Sequence, residues 1–171
     1  MPERGMNLAA SGITLRAAQS GDCRRCQEIA VAAWEPIYAS SRQRLGEAIF
    51  EQLYPAWRAA KAGQIAAAFQ HHPQWIVVAC AGQEVVGFAT FRLDGERRVG
   101  EIGNNAVEPA WQGRGIATAL YERVLEEFRR QGMLLAKVTT GLDEAHAPAR
   151  AAYRRVGFSA EAPSVTLYRE L

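Results

Sequence analysis

The sequence predicts a mixed α/β protein built on one sheet of about six to seven strands, mostly antiparallel and flanked by helices. Three observations carry this. Short apolar runs bounded by turn residues fall at 13–18, 75–81, 85–93, 99–107, 134–140 and 164–171. Segments of helical period lie between the first and second runs, the fourth and fifth, and the fifth and sixth. No internal repeat, low-complexity tract or interior linker divides the chain, so residues 12–171 read as one domain behind a loose tail at 1–11.

The elements follow in order. "ITLRAA" (13–18) is the first strand, and "SGD" (20–22) offers helix-start chemistry. The helix after it runs to about Tyr38, with Pro36 disturbing its end. Residues 42–54 and 56–70 give two more helices. "WIVVACA" (75–81), the turn "GQE" and "VVGFATFRL" (85–93) make a hairpin; "DGERR" turns the chain into a strand from Val99 to Val107. Ile116, Leu120, Val124 and Phe128 then recur every four residues among charged neighbours, which is an amphipathic helix. Arginines crowd its last turn and Gly132 ends it. "LLAKVTT" (134–140) is a strand, "HAPARAAYRRV" (146–156) a short helix with Pro148 in its first turn, and "SVTLYREL" (164–171) a last strand.

Composition narrows the function. The 171 residues are 49% hydrophobic and 22% charged, with a formal net charge of +2. Acid and base are mixed throughout, which argues against a nucleic-acid binder held by phosphate contacts. No run approaches the ~18 apolar residues of a membrane span. The N-terminus has no apolar signal region, so a cytoplasmic location is expected. "CRRC" (23–26) has no second pair, and two of the three histidines are adjacent, so no metal is expected. Cys23, Cys26, Ala30, Ala33, Trp34 and Ile37 share one helix face and read as core.

The richest stretch is "VEPAWQGRGIATAL" (107–120). A strand ends near Val107, a loop carries Gln112, Gly113, Arg114 and Gly115, and a helix begins. Free N–H groups at a helix start, at the positive end of its dipole, form an anion site, and glycines remove the Cβ atoms that would block approach. The competing reading is glycine for tight packing. The Walker ending Gly-Lys-Ser/Thr is absent, and so is the third glycine of GxGxxG, so neither nucleotide fold fits.

This stretch resembles the acyl-CoA binding segment of the GNAT superfamily of N-acyltransferases. Gln112, Gly115 and Ala117 match its pattern Gln/Arg-x-x-Gly-x-Gly/Ala, with Val107 and Pro109 upstream. "HAPARAAYRRVGF" resembles the family's tyrosine helix with its closing Gly-Phe, and the element order agrees from Ile13 onward. The resemblance implies acetyl-CoA as co-substrate. Its pyrophosphate would lie on the amides of Gly113, Arg114, Gly115, Ile116 and Ala117, and its pantetheine arm would pair with the backbone of Ala106 and Val107 like an added strand. Arg114 either adds charge to the phosphates or is a solvated loop arginine.

Acyl transfer to an amine moves two protons. With a pKa near 10.4, only ~0.1% of a lysine-like amine is neutral at pH 7, so a proton acceptor is needed, directly or through water. Glu101 lies six residues before Val107 on one strand, so alternation puts both on one face; some family members have a general-base glutamate there. The alternative is a strand glutamate with no proton role. Tyr153 matches the family's general-acid tyrosine, which protonates the departing thiolate; otherwise it is a packing residue. His146 stands where the family commonly has asparagine and reads as a cofactor contact or structural residue ahead of a catalytic one. Alternation turns Asn105, not Asn104, toward the cleft with Glu101, unless a bulge intervenes and changes the facing of Glu101 too. Trp34, Glu35 and Tyr38 are expected to hold the acceptor, a primary amine of a small molecule or peptide. A homodimer is expected as well. The rival class is a CoA-binding sensor or interaction module that keeps the fold without turnover.

Overall fold

The computed structural model describes residues 12–171; the predicted tail at 1–11 lies outside them. One sheet holds strands β1 (Ile13–Ala17), β2 (Ile76–Ala81), β3 (Glu84–Asp94), β4 (Val99–Val107) and β5 (Leu135–Val138), in that spatial order. The first four pair antiparallel and β5 joins β4 in parallel.

Between β1 and β2 come helices α1 (Cys23–Leu45), α2 (Glu47–Leu53) and α3 (Trp57–His71). The Arg16 guanidinium donates to both oxygens of Asp22, at 2.6 and 2.9 Å, and ties β1 to the start of α1. The predicted break near Tyr38 does not occur: α1 carries through Pro36 to Leu45 and ends at Gly46, whose φ is 80°. A proline removes one N–H, and the packing of α1 on α3 and β4 holds the helix together across that gap.

The sheet is covered on both faces, which is why β2 reads as a continuous apolar run. On one face Val77, Ala79, Val86 and Phe91 pack with Ile116, Leu120, Val124 and Phe128 of α4 (Ile116–Arg130), and with Ala152 and Tyr153 of α5 (Ala147–Arg155). On the other, Val78, Cys80, Val85 and Phe88 pack with Cys26, Ile29, Ala30 and Ile65 of α1 and α3.

Five strands stand where about six to seven are expected. Residues 164–171 alternate like a strand but pair with nothing among the described residues, and Val165, Leu167 and Leu171 are exposed. Alternation supplies a face, whereas a strand exists only once its backbone finds a partner.

Candidate active site

β4 pairs with β5 only from Val99 to Ile102, and beyond that point the two diverge. A cavity of about 960 Å³ opens there. Its walls come from α1 (Ala33, Trp34, Ile37), from β4 (Glu101 to Val107), from the loop into α4, and from the segment Thr139–Tyr153.

The loop into α4 has the backbone geometry that an anion site requires. Gly113 and Gly115 have φ of 74° and 73°, the left-handed region that side chains avoid. Gly115 caps α4, so the amides of Ile116, Ala117 and Thr118 have no intrahelical acceptor, and these residues line the cavity. Gln112 serves the loop itself, donating to the Val107 carbonyl at 3.0 Å. The Arg114 guanidinium lies over the Trp111 ring at 4.6 Å and does not line the cavity.

The open edge of β4 is narrower than expected. Glu108 N–H donates to the Val86 carbonyl at 2.8 Å. By alternation Ala106 also turns its backbone groups to β3, and the outward amides belong to Asn105 and Val107. Ala106 therefore does not offer the arm a strand-like partner.

A bulge decides the facing of side chains along β4. Ala89 pairs with Asn105 but Phe91 with Ile102, so two steps on β3 match three on β4. Ile102 and Val107 consequently bury in the same core despite their odd spacing. The expected sharing of a face by Glu101, Asn105 and Val107 is thereby overturned. Asn105 turns to α4 and α5, while Asn104 turns to α3, where its Oδ1 accepts from Lys61 at 3.1 Å.

Asn105 joins two tyrosines. Tyr121 donates its hydroxyl hydrogen to Asn105 Oδ1 at 2.7 Å, and Asn105 Nδ2 donates to the Tyr153 oxygen at 3.0 Å. The rings of Tyr121 and Tyr153 stack at 4.6 Å. Tyr153 is 5% exposed and still lines the cavity, and burial raises its pKa against the lowering effect of its hydrogen bonds. Its own hydrogen has no protein acceptor among the described residues.

Glu101 lines the same cavity. Its Oε2 accepts from Arg92 at 2.6 and 3.0 Å and from Lys137 at 3.4 Å, which leaves Oε1 without a protein partner among the described residues. Burial alone would raise its pKa, but the Arg92 hydrogen bonds and the charges of Arg92 and Lys137 hold it below the usual carboxylate range.

Of the three aromatic and acidic positions expected to bind the acceptor, Trp34 alone lines this cavity. Glu35 pairs with Arg58, and Tyr38 stacks on Trp57 at 4.2 Å; both border a separate hollow of about 420 Å³. Successive residues of a helix point about 100° apart, and Glu35 is turned to Arg58 of α3 rather than into the cavity. Against Trp34 lies a residue not anticipated from the sequence: Lys61 Nζ sits 3.4 Å from the ring centroid, and burial lowers its pKa to about 8.

His146 lines the cavity, ends a 3-10 turn at Glu144–His146, and meets Trp34 edge-on at 6.2 Å. Its Nδ1 is 2.7 Å from Asp143 Oδ2, a partner the sequence analysis missed. Among the described residues no group of three or more His, Cys, Asp or Glu side chains could hold a metal, and no helix is long and apolar enough to cross a membrane.

Comparison with known proteins fits this architecture. Residues 26–158 match the model described as "Acetyltransferase (GNAT) family". PaiA N-acetyltransferase from Thermoplasma acidophilum, solved with coenzyme A, is 18% identical, with a TM-score of 0.69 over 89% of this chain and 92% of that one. A GNAT family acetyltransferase from Brucella melitensis, solved with acetyl-CoA, is 22% identical, with a TM-score of 0.58 over 86% of this chain and 83% of that one. A Pyrococcus horikoshii structure is 20% identical at a TM-score of 0.63; it covers 94% of this chain, which spans about half (48%) of its length. At these identities the likeness concerns the fold alone. No curated protein matches the sequence significantly.

Proposed function

The chain belongs to the acetyltransferase (GNAT) family, and we propose that it moves an acetyl group from acetyl-CoA to a primary amine of a small molecule or peptide by direct attack in a ternary complex. One observation carries the reading: the unpaired first-turn amides of α4 and the uncommitted hydroxyl hydrogen of Tyr153 border one cavity, at the point where β4 leaves β5.

The residues divide the work. The amides of Ile116, Ala117 and Thr118, with the helix dipole, hold the pyrophosphate. The outward amides of Asn105 and Val107 pair with the pantetheine arm and polarise the thioester carbonyl. Trp34 packs against the acceptor. Glu101 is held ionised by Arg92 and Lys137, and its free Oε1 takes the amine's proton through water. The neutral nitrogen attacks the carbonyl carbon; the C–N bond forms, the C–S bond breaks, and the nitrogen gives up a second proton, which reaches solvent, from which Tyr153 is later reprotonated. Tyr153 supplies one to the sulfur, with Asn105 fixing its oxygen.

The reading includes a cytoplasmic location, and also a homodimer, for which the exposed Leu134, Leu135, Val165 and Leu167 speak. Release of free thiol from acetyl-CoA, followed across a panel of primary amines, tests the function. Amine-dependent release is expected; binding of acetyl-CoA without it would overturn the enzyme reading.

A further inference from the structure

The acceptor wall holds a second titratable group that the scheme above leaves unused. His146 and Asp143 are set into a loop built around them. A Cβ at Gly141 would collide with His146 Nδ1 and Asp143 Oδ2, so the pair closes only over a glycine. Arg150 Nη1 donates to the carbonyls of Gly141 and Asp143, at 2.7 and 2.6 Å, and clamps the loop onto α5. Trp34 of α1 meets the imidazole edge-on at 6.2 Å.

The hydrogen bonds fix the tautomer. An ionised carboxylate only accepts, so His146 carries its hydrogen on Nδ1, and Nε2 presents a lone pair. Nε2 has no partner among the described residues, and the ring lines the cavity. Asp143 is ionised: burial works against it, but the hydrogen bond from His146 and the nearby charge of Arg44 hold its carboxyl below the usual range. Its Oδ1 is buried with no hydrogen-bond partner, so its charge is answered chiefly at Oδ2. A base oriented by a buried carboxylate is the arrangement that stabilises an imidazolium once a proton arrives.

We propose that the Asp143–His146 pair is a catalytic proton acceptor of this site: His146 Nε2 takes the proton that the acceptor nitrogen gives up, and Asp143 positions the ring and stabilises the imidazolium. The proton then passes to solvent, and Tyr153 still protonates the sulfur. This rests on the acetyl-transfer reading and adds a base to it. Glu101 is committed at Oε2 to two cations, whereas His146 Nε2 has no partner among the described residues. Arg44 from α1 lies 3.6 Å from Asp143 Oδ2, Arg150 from α5 donates to the Asp143 carbonyl, and Glu144 follows Asp143 in the turn.

The test uses the full chain, acetyl-CoA and the primary amine that gives the fastest thiol release. His146→Gln should lose about a hundredfold in kcat with CoA affinity unchanged by calorimetry. Asp143→Asn, which retains the imidazole, should lose at least about tenfold in kcat, again with CoA affinity unchanged. Wild-type kcat in either variant would overturn the dyad alone, and so would a loss matched in full by lost CoA affinity. Absence of amine-dependent thiol release from the wild type would overturn the acetyl-transfer reading and the dyad with it.

Discussion

Asn105 Nδ2 donates to the Tyr153 oxygen at 3.0 Å, so the phenol is held from its acceptor side and its hydrogen stays available. The amide can donate in that direction only because Tyr121 donates to its oxygen at 2.7 Å and fixes its orientation.

Tyr153→Phe keeps the ring stacked on Tyr121 and removes only the hydroxyl. General-acid loss costs ~10²–10⁴ in rate, and a thiolate leaves well unaided, so a loss of about tenfold to a hundredfold in kcat is expected. CoA affinity and melting temperature should change little. Full kcat in the variant would return Tyr153 to packing.

Gly115→Asp places a side chain where φ is 73° and a negative charge where the first-turn amides converge. CoA affinity should fall at least about tenfold, or ~1.4 kcal/mol, by calorimetry on the folded variant. Unchanged affinity would remove the pyrophosphate from this loop.

Glu101→Gln should slow turnover most at low pH and recover in part as free amine accumulates. The carboxylate is held below its usual range, so the wild type keeps this base ionised through the whole assay window. A constant ratio of variant to wild-type rate from about pH 6 to pH 9 would count against a base role.

Lys61 makes a stability prediction. Its pKa is about 8 in the fold against an unfolded value near 10.4, so the folded state binds fewer protons between those values and stability rises with pH across that window. Below about pH 8 the cost of burying the charge is present in full. Lys61→Met should therefore gain on the wild type at pH 7, and lose about 2–3 kcal/mol of that advantage by pH 10. Thermal melts whose difference stays constant with pH would show that Lys61 titrates as an ordinary surface lysine.

What the sequence made legible was local. The meander, the amphipathic α4, the glycine loop and Tyr153 all rest on periodicity or on residues adjacent in the chain. What it hid depends on register and pairing. The bulge at 103–104 exchanges Asn105 for Asn104 beside Glu101, and Gly103 inside a strand was its local signal. Arg92 meets Glu101 only through the β3–β4 register, and Lys61 meets Trp34 only through the packing of α1 on α3. Asp143 and His146 lie three apart, a spacing that could have suggested a pair, but only the turn closes it. The strand expected at 164–171 had the right alternation and found no neighbour.

That unpaired segment bears on assembly. Leu134 and Leu135 are exposed at the open edge of β5, Val165 and Leu167 are exposed in the unpaired segment, and open apolar edges invite pairing. Light scattering at micromolar concentration should give the mass of a dimer; a monomer would refute it.

The central claim is direct transfer of acetyl from CoA to an amine. Its most direct test is mass spectrometry after the full chain is incubated with acetyl-CoA, labelled with deuterium in the acetyl group, and the amine that releases thiol fastest. The label should appear on the amine nitrogen in step with free CoA, with none retained on the protein. Bound acetyl-CoA that stays intact with every amine, or label that accumulates on the protein before reaching the amine, would contradict it.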